Sequence, residues 1–575
     1  MEINYNKKNS EQQACIKQFA LNNKFNFLAT VVTQSIFSAV SISISFLMMI
    51  TINAIEYTDI GRIKTAAIFL VTMLILYASF GYAQKVFRNR YIKYGLSQFK
   101  NYIFRKILSK SIKEFGSSST GKIINAFSND LGSIELHYMN GTIQIIQQIV
   151  MFVIALFAMY YLNWVLATCV ILACVIPVTF SLLLGRHLVS KEKKTSDEGE
   201  GFVDQVKDLL NGFILIKSFK AEEEVLDLFD KKNFSLEEAK RDRRDTNDSV
   251  TLASTFSRIL VISMIFTLGI YLAYQKIMSI GAIIAFVELS HYATGPVEQI
   301  FPLWSNRKAS ITLIKKIADV IEDKEGNDEK VSVSEMGSAI VMKDVSFSYT
   351  GEKAVLKDIS LNFEKGKGYA IVGVSGCGKS TLIQLLLGYY DDYKGEILIG
   401  DTQLKDINLD SLYDIISVIQ QNVFLFDSSI KNNITMFKDF NKDKFERAVK
   451  LAGLSHLIAE KGEDYKSGEG GRNLSGGEKQ RVSIARCLIR ETPVIIMDEA
   501  TAALDNKTTH EVENAILGLD GLTKIIVTHK FNEAIMKKYD KIIVLRDGEL
   551  TEFGSFDDLM QKRGYFHSLY HVAAG

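Results

Sequence analysis

Six stretches of this chain carry few charges over the length needed to cross a bilayer as helix, about 20 residues. They are residues 25–52, 66–87, 143–162, 164–184, 249–274 and 279–301. Two connections, between the second and third and between the fourth and fifth stretches, run to about 55 and 65 residues, too long for simple loops. In both, apolar residues return every three or four positions: Ile103, Phe104, Ile107 and Leu108 in one, Val203, Val206, Leu209 and Leu210 in the other. That period predicts helix, so the spans continue well beyond the bilayer. Glycine- and serine-rich turns at 115–121 and 210–213 are expected to break these extensions at their far ends. After about residue 320 the long apolar runs stop. Short ones replace them: 369–372, with a helix expected from 381 to 387, then 494–499 and 524–529, which read as buried strands.

The expected architecture is therefore a helical membrane domain followed by an α/β domain. Its parts are a lead-in segment over 1–24 with a helix near 10–20, six spans over 25–305, a helical and then charged linker over 306–336, and the α/β domain over 337–575. Lysine and arginine fix its orientation. The end of the second stretch and the first long connection hold Lys85, Arg88, Arg90, Lys93, Lys100, Arg105, Lys106, Lys110, Lys113 and Lys122, and the second long connection includes Arg241, Arg243 and Arg244. The three short connections hold only Arg62, Lys64 and Lys276. Both long connections, both termini and the α/β domain are thus expected in the cytoplasm, with the protein in the cell membrane. A net charge of +1 argues against nucleic acid as a partner. The five cysteines, Cys15, Cys169, Cys174, Cys377 and Cys487, are scattered and read as free thiols. No cleavable signal is expected, because the first apolar run begins late and is too long for a signal core.

The chemistry lies in the α/β part. Gly373-Val-Ser-Gly-Cys-Gly-Lys379-Ser380 stands between an expected strand and an expected helix, the setting a phosphate-binding loop requires. Glycines there let successive N–H groups and the helix N-terminus face phosphate oxygens. Lys379 should reach the terminal phosphates of ATP and Ser380 should ligate Mg2+. Asp498 and Glu499 end the strand from Val494; Asp498 is placed to hold Mg2+ and Glu499 to polarise the attacking water. His529 ends another strand and is a candidate γ-phosphate contact, and Gln421 lies in a loop between the phosphate loop and the strand from Val494 in sequence. Cys377 lies beside a helix N-terminus and Lys379, a setting that favours a reactive thiolate.

Together with Leu474-Ser-Gly-Gly-Glu478, these residues resemble the ATP-binding-cassette (ABC) ATPase family over about 337–571. The resemblance implies that Gly373, Ser375, Gly376, Cys377, Gly378, Lys379, Ser380 and Thr381 cradle the nucleotide and that Tyr349 stacks on adenine. It implies catalytic roles for Glu499, His529 and Gln421, with Gln421 also at the metal beside Ser380 and Asp498. Ser475 and Gly477 are implied to complete the ATP site of a partner domain. Asp505 matches the family's loop at the dimer seam, where Ala502 replaces the usual serine.

With six spans and one ATPase domain, the chain resembles half of a six-span ABC exporter. In that family the far turns, here Thr120-Gly-Lys122 with Asn129-Asp130 and Asn211-Gly212 with Lys217-Ser-Phe219, touch the ATPase domains. The resemblance implies an ATP-driven alternating-access transporter, paired with a second half as homodimer or heterodimer, that exports a small amphipathic molecule, peptide or lipid. The alternative is import of a siderophore-like chelate by the same fold. A soluble ABC ATPase would lack the spans, and an ATP-gated channel would be expected to lose Glu499 or His529. A peptide transporter with its own protease would need a further N-terminal domain, which the residues before the first span are not expected to hold.

Polar residues inside the spans are the cargo candidates. Glu288 and His291 share a face of the sixth span, Gln144 lies with Gln147 and Gln148 in the third, and Thr30, Gln34, Ser38, Ser41 and Ser45 line one stripe of the first. An ionisable residue in a bilayer is costly and faces a cavity or a partner. Small hydroxyl residues more commonly mediate helix packing.

Overall fold

The computed structural model describes residues 13–19, 23–56, 60–116, 120–321, 330–349, 353–499 and 506–574. The chain divides into two compact units: Met1–Lys110 with Phe115–Asp323, and Ser111–Glu114 with Lys324–Gly575.

The first unit is built on long helices: α1 (Lys24–Glu56), α2 (Ile60–Leu108), α3 (Gly141–Leu162), α4 (Trp164–Asn211), α5 (Glu222–Tyr274) and α6 (Ile280–Ile321). Each carries one of the six apolar stretches. Among the described residues, four helical segments are long and apolar enough to cross a membrane: Lys24–Glu56, Ile60–Leu108, Ile123–Leu162 and Glu222–Tyr274. The fourth and sixth stretches lie on α4 and α6, where several side chains, Cys174 among them, fall outside the described residues. The 49 residues of α2, at 1.5 Å each, make a rod of about 74 Å against about 30 Å of hydrocarbon. The helix therefore runs far past the bilayer, as its period predicts.

The packing face of that extension is narrower than the sequence suggests. Ile103 and Ile107 are buried in a cluster with Phe19, Phe99, Ile134 and Ile317, whereas Phe104 and Leu108 are 54% and 69% exposed. In the second extension Val203 and Leu210 are likewise exposed. There α4 and α5 are tied by ion pairs, Lys191–Asp242 at 2.9 Å, Glu198–Lys232 at 2.8 Å and Glu192–Arg243 at 3.0 Å. Charges, which periodicity of apolar residues ignores, do part of the joining. The 210–213 turn is present: α4 stops at Asn211 and a new helix covers Phe213–Phe219. Of the 115–121 turn, residues 117–119 lie outside the described residues. In α1, Thr30, Gln34, Ser38 and Ser45 are buried, and Gln84 of α2 donates to Gln34 Oε1. That stripe is a packing seam.

The second unit holds ten strands among the described residues: β1 (Ala339–Phe347), β2 (Leu356–Glu364), β3 (Gly368–Val372), β4 (Lys394–Ile399), β5 (Thr402–Gln403), β6 (Ile416–Ile419), β7 (Val494–Asp498), β8 (Thr523–Val527), β9 (Lys541–Arg546) and β10 (Glu549–Gly554). Antiparallel strands in the order β2-β1-β4-β5 form one sheet, and β10-β9-β3-β8-β7-β6 form the other. In the second sheet β3, β6, β7, β8 and β9 run parallel. β3 and β8 are buried along their whole length, as their continuous apolar runs require when both faces are covered. Because β8 pairs in register with both β3 and β7, matching Ile371 to Val527 and Val527 to Asp498, the carboxyl ends of these three strands lie side by side. That edge is where open parallel sheets place their ligands.

Candidate active site

β3 ends at Val372, and the loop after it feeds helix α7 (Lys379–Leu386). Gly378 opens α7 at φ +103°, where a Cβ would lie 2.7 Å from Leu356 Cδ2. A Cβ on Gly373 would collide with the Leu545 carbonyl and reach within 2.6 Å of Cys377 Sγ. Only glycine fits either point. Lys379 is buried, and its ammonium donates to the Gly373 carbonyl at 2.9 Å and the Val374 carbonyl at 3.1 Å, folded over the loop.

The ends of β7 and β8 complete the cleft. The Glu499 carboxylate is held from two sides: Gln421 Nε2 donates to Oε2 at 2.8 Å, and His529 Nε2 lies 2.9 Å from Oε1. Glu499 itself sits at φ +49°, a conformation rare for a non-glycine residue, and its N–H donates to the Val527 carbonyl at 3.2 Å. Asp498 takes a hydrogen bond from the Ser380 hydroxyl, and burial pushes its carboxyl above the usual range against the pull of that bond and of Lys379. Its Oδ1 is buried and has no hydrogen-bond partner among the described residues.

Of the expected residues, one cleft of about 600 Å³ gathers Ser375, Gly376, Gly378, Lys379, Ser380, Thr381, Gln421, Glu499 and His529. Gln421 is turned to Glu499. Sequence reasoning missed Val355, which walls the cleft and is followed by the Leu356 side chain packed on Gly378. It also missed Gln384, one turn along α7 from Ser380, whose Oε1 accepts from Tyr349 Oη at 3.0 Å while that hydroxyl lies 3.0 Å from Thr381 Oγ1. The helical spacing from Ser380 was the available signal. Asn433 and Arg486 were missed as well. They pin the segment after Gln421 through Asn433 to the Phe426 backbone at 2.9 and 3.0 Å, and Arg486 to the Phe424 carbonyl at 3.2 Å.

Cys377 departs from expectation. It is 3% exposed, and burial pushes its thiol up despite the charge of Lys379. Its side chain is turned into the core beside Gly373, where loss of water outweighs the pull of Lys379.

Ser475 and Gly477 do not line the cleft. Ser475 caps helix α8 (Gly476–Leu488) in a reciprocal capping box: it accepts from the Glu478 N–H at 3.3 Å, and Glu478 Oε2 accepts from the Ser475 N–H at 2.7 Å. The cap stays exposed at the surface. Asp505 and Ala502 lie outside the described residues.

In the first unit, Glu288 Oε2 and His291 Nδ1 are 4.0 Å apart on α6, both side chains partly exposed. Gln144 is exposed on α3, and Gln148 Nε2 donates to Gln299 Oε1 at 2.5 Å. None of these lines the cavity of about 790 Å³ among α4, α5 and α6, whose wall includes Asp197, Arg244, Asn247, Ser305, Asn306 and Leu313. Its residues come from helix extensions and helix ends, not from polar positions inside the spans.

Residues 356–502 match the family model described as ABC transporter, and residues 18–297 match the one described as ABC transporter transmembrane region. The chain is similar to the ATP-dependent lipid A-core flippase of Desulfotalea psychrophila, 27% identical over 83% of this chain and 84% of the relative. It is 30% identical to the beta-(1→2)glucan export ATP-binding/permease protein NdvA of Rhodopseudomonas palustris, over 71% of this chain and 68% of that one. Its fold matches that of a bacterial Atm1-family ABC exporter with ATP bound, at a TM-score of 0.82 and 21% identity, covering 96% of this chain and 98% of that one.

Proposed function

The chain belongs to the ABC transporter family, and we propose that it exports an amphipathic small molecule, peptide or lipid across the cell membrane. It is a half-transporter of the exporter type, with six-helix membrane domain and ATP-binding domain in one chain, and ATP hydrolysis in the cytoplasm is coupled to transport. The fold implies a dimer.

The observation that carries the chemical reading is the bridge from Gln421 through Glu499 to His529 across the cleft from Lys379. In this reading Lys379 and the loop N–H groups hold the terminal phosphates, and Tyr349 stacks on adenine. Glu499 takes a proton from the attacking water, while Gln421 and His529 fix its carboxylate. The buried, unpartnered Asp498 Oδ1 beside the Ser380 hydroxyl fits a hard cation, so Ser380 and Asp498, with Gln421, would hold Mg2+. Bound there, Mg2+ supplies charge against the phosphate oxygens. Ser475, exposed, and Gly477, partly exposed, both outside this cleft, complete the site of the second half, which is another copy or a related chain.

Export is favoured over chelate import by the relatives named for lipid A-core flipping and glucan export. The cavity among α4, α5 and α6 pairs charged and amide side chains with apolar ones, which suits an amphipathic cargo. Glu288, His291 and Gln144 are proposed contacts along its path. The domain division at 24, 305 and 336 belongs to the same reading. The test is reconstitution in liposomes with labelled lipids, peptides and chelates. ATP-driven movement from the ATPase side outward is expected; ATP-driven movement only in the opposite direction would overturn export.

A further inference from the structure

The C-terminal helix Tyr565–Ala574 carries His567 and His571, one turn apart on its flank. The two rings turn the same nitrogen toward each other: His567 Nε2 and His571 Nε2 are 3.1 Å apart, with ring centroids 4.3 Å apart. Two nitrogens bound to one zinc-like ion at about 2.0–2.1 Å stand about 2.9–3.4 Å from each other for angles between square and tetrahedral. The observed separation falls inside that interval, so the pair already has the bite of a chelate. Histidines at i and i+4 of a helix are a recurrent way to supply two ligands of one ion.

The helix under the pair is fixed. Phe566 is buried and packs with Phe531, Phe556 and Tyr570, and Glu552 accepts from the Tyr565 and Phe566 N–H groups at 2.8 Å each. These contacts hold the helix by the adjoining face, with the Tyr570 ring edge-on to His571 at 5.7 Å between centroids, and leave His567 half-buried and His571 exposed. Among the described residues no group of three or more His, Cys, Asp or Glu side chains gathers at one point. An ion held by the pair would therefore have its remaining positions open to water.

We propose that His567 and His571 chelate a divalent transition ion of the kind imidazole prefers, Cu2+, Ni2+ or Zn2+. Each ring binds as the neutral tautomer with its proton on Nδ1, and the ion takes the place of the hydrogen bond between the Nε2 atoms. The site lies on the C-terminal helix, apart from the residues that line the ATP cleft.

The experiment is a Cu2+ titration of the full-length detergent-solubilised protein, followed by calorimetry and electron paramagnetic resonance. The expected result is a class of bound Cu2+ with two imidazole nitrogens that loses one ion per chain in His567→Ala and in His571→Ala. The conservative variants His567→Gln and His571→Gln should lose it too, while all four keep their basal ATPase and so report folded protein. An unchanged stoichiometry and spectrum in these variants would overturn the proposal and leave the pair as a hydrogen bond between imidazoles.

Discussion

His529 Nε2 lies 2.9 Å from Glu499 Oε1, joining the end of β8 to the end of β7 across a carboxylate that Gln421 holds from the other side at 2.8 Å. If Glu499 is the general base, Glu499→Gln should slow hydrolysis by about two to four orders of magnitude while ATP still binds. Because the pair acts together, Glu499→Gln and His529→Ala combined should cost far less than the sum of their separate effects. Turnover near the parent rate in purified Glu499→Gln would refute the assignment.

Lys379 and Ser475 should behave as parts of one composite site drawn from two chains. Each of Lys379→Ala and Ser475→Ala should impair ATPase when every chain carries it; the second also removes a helix cap worth about 1 kcal/mol. If the second half is another copy, mixing the two variants restores one intact site per mixed dimer. Mixed dimers as inactive as either parent would place Ser475 in the site of its own chain.

The Cys377 thiol should label slowly with maleimide near pH 7. Its folded pKa is raised by burial, so at any given pH less of it is thiolate than in an unfolded chain. Labelling should accelerate as pH rises and upon denaturation, and MgATP should slow it further. Rapid modification at pH 7, read by peptide mass, would contradict the buried placement.

Glu288 and His291 are 4.0 Å apart on α6. If they face cargo, Glu288→Gln and His291→Ala should abolish cargo-stimulated ATPase and shift cargo preference while basal ATPase persists. A fall in yield with preference intact would assign them to helix packing.

The sequence alone determined the broad plan. Long uncharged stretches are helices in hydrocarbon because no other single segment satisfies its own backbone there, and the basic connections orient them. The phosphate loop was legible because its glycine spacing is a short pattern set between an apolar strand and a helix, whereas the Leu545 and Leu356 contacts that exclude a Cβ at Gly373 and Gly378 are tertiary. Tertiary structure decided the rest. Register between β3, β8 and β7 brought Lys379, His529 and Glu499 to one cleft from positions far apart in the chain. Gln421 was nameable, yet its hold on Glu499 depends on Asn433 and Arg486 anchoring the segment beyond it. Cys377 shows the limit most plainly. Its neighbours in sequence promise a reactive thiolate, but side-chain direction turned it inward, where loss of water outweighs a nearby charge.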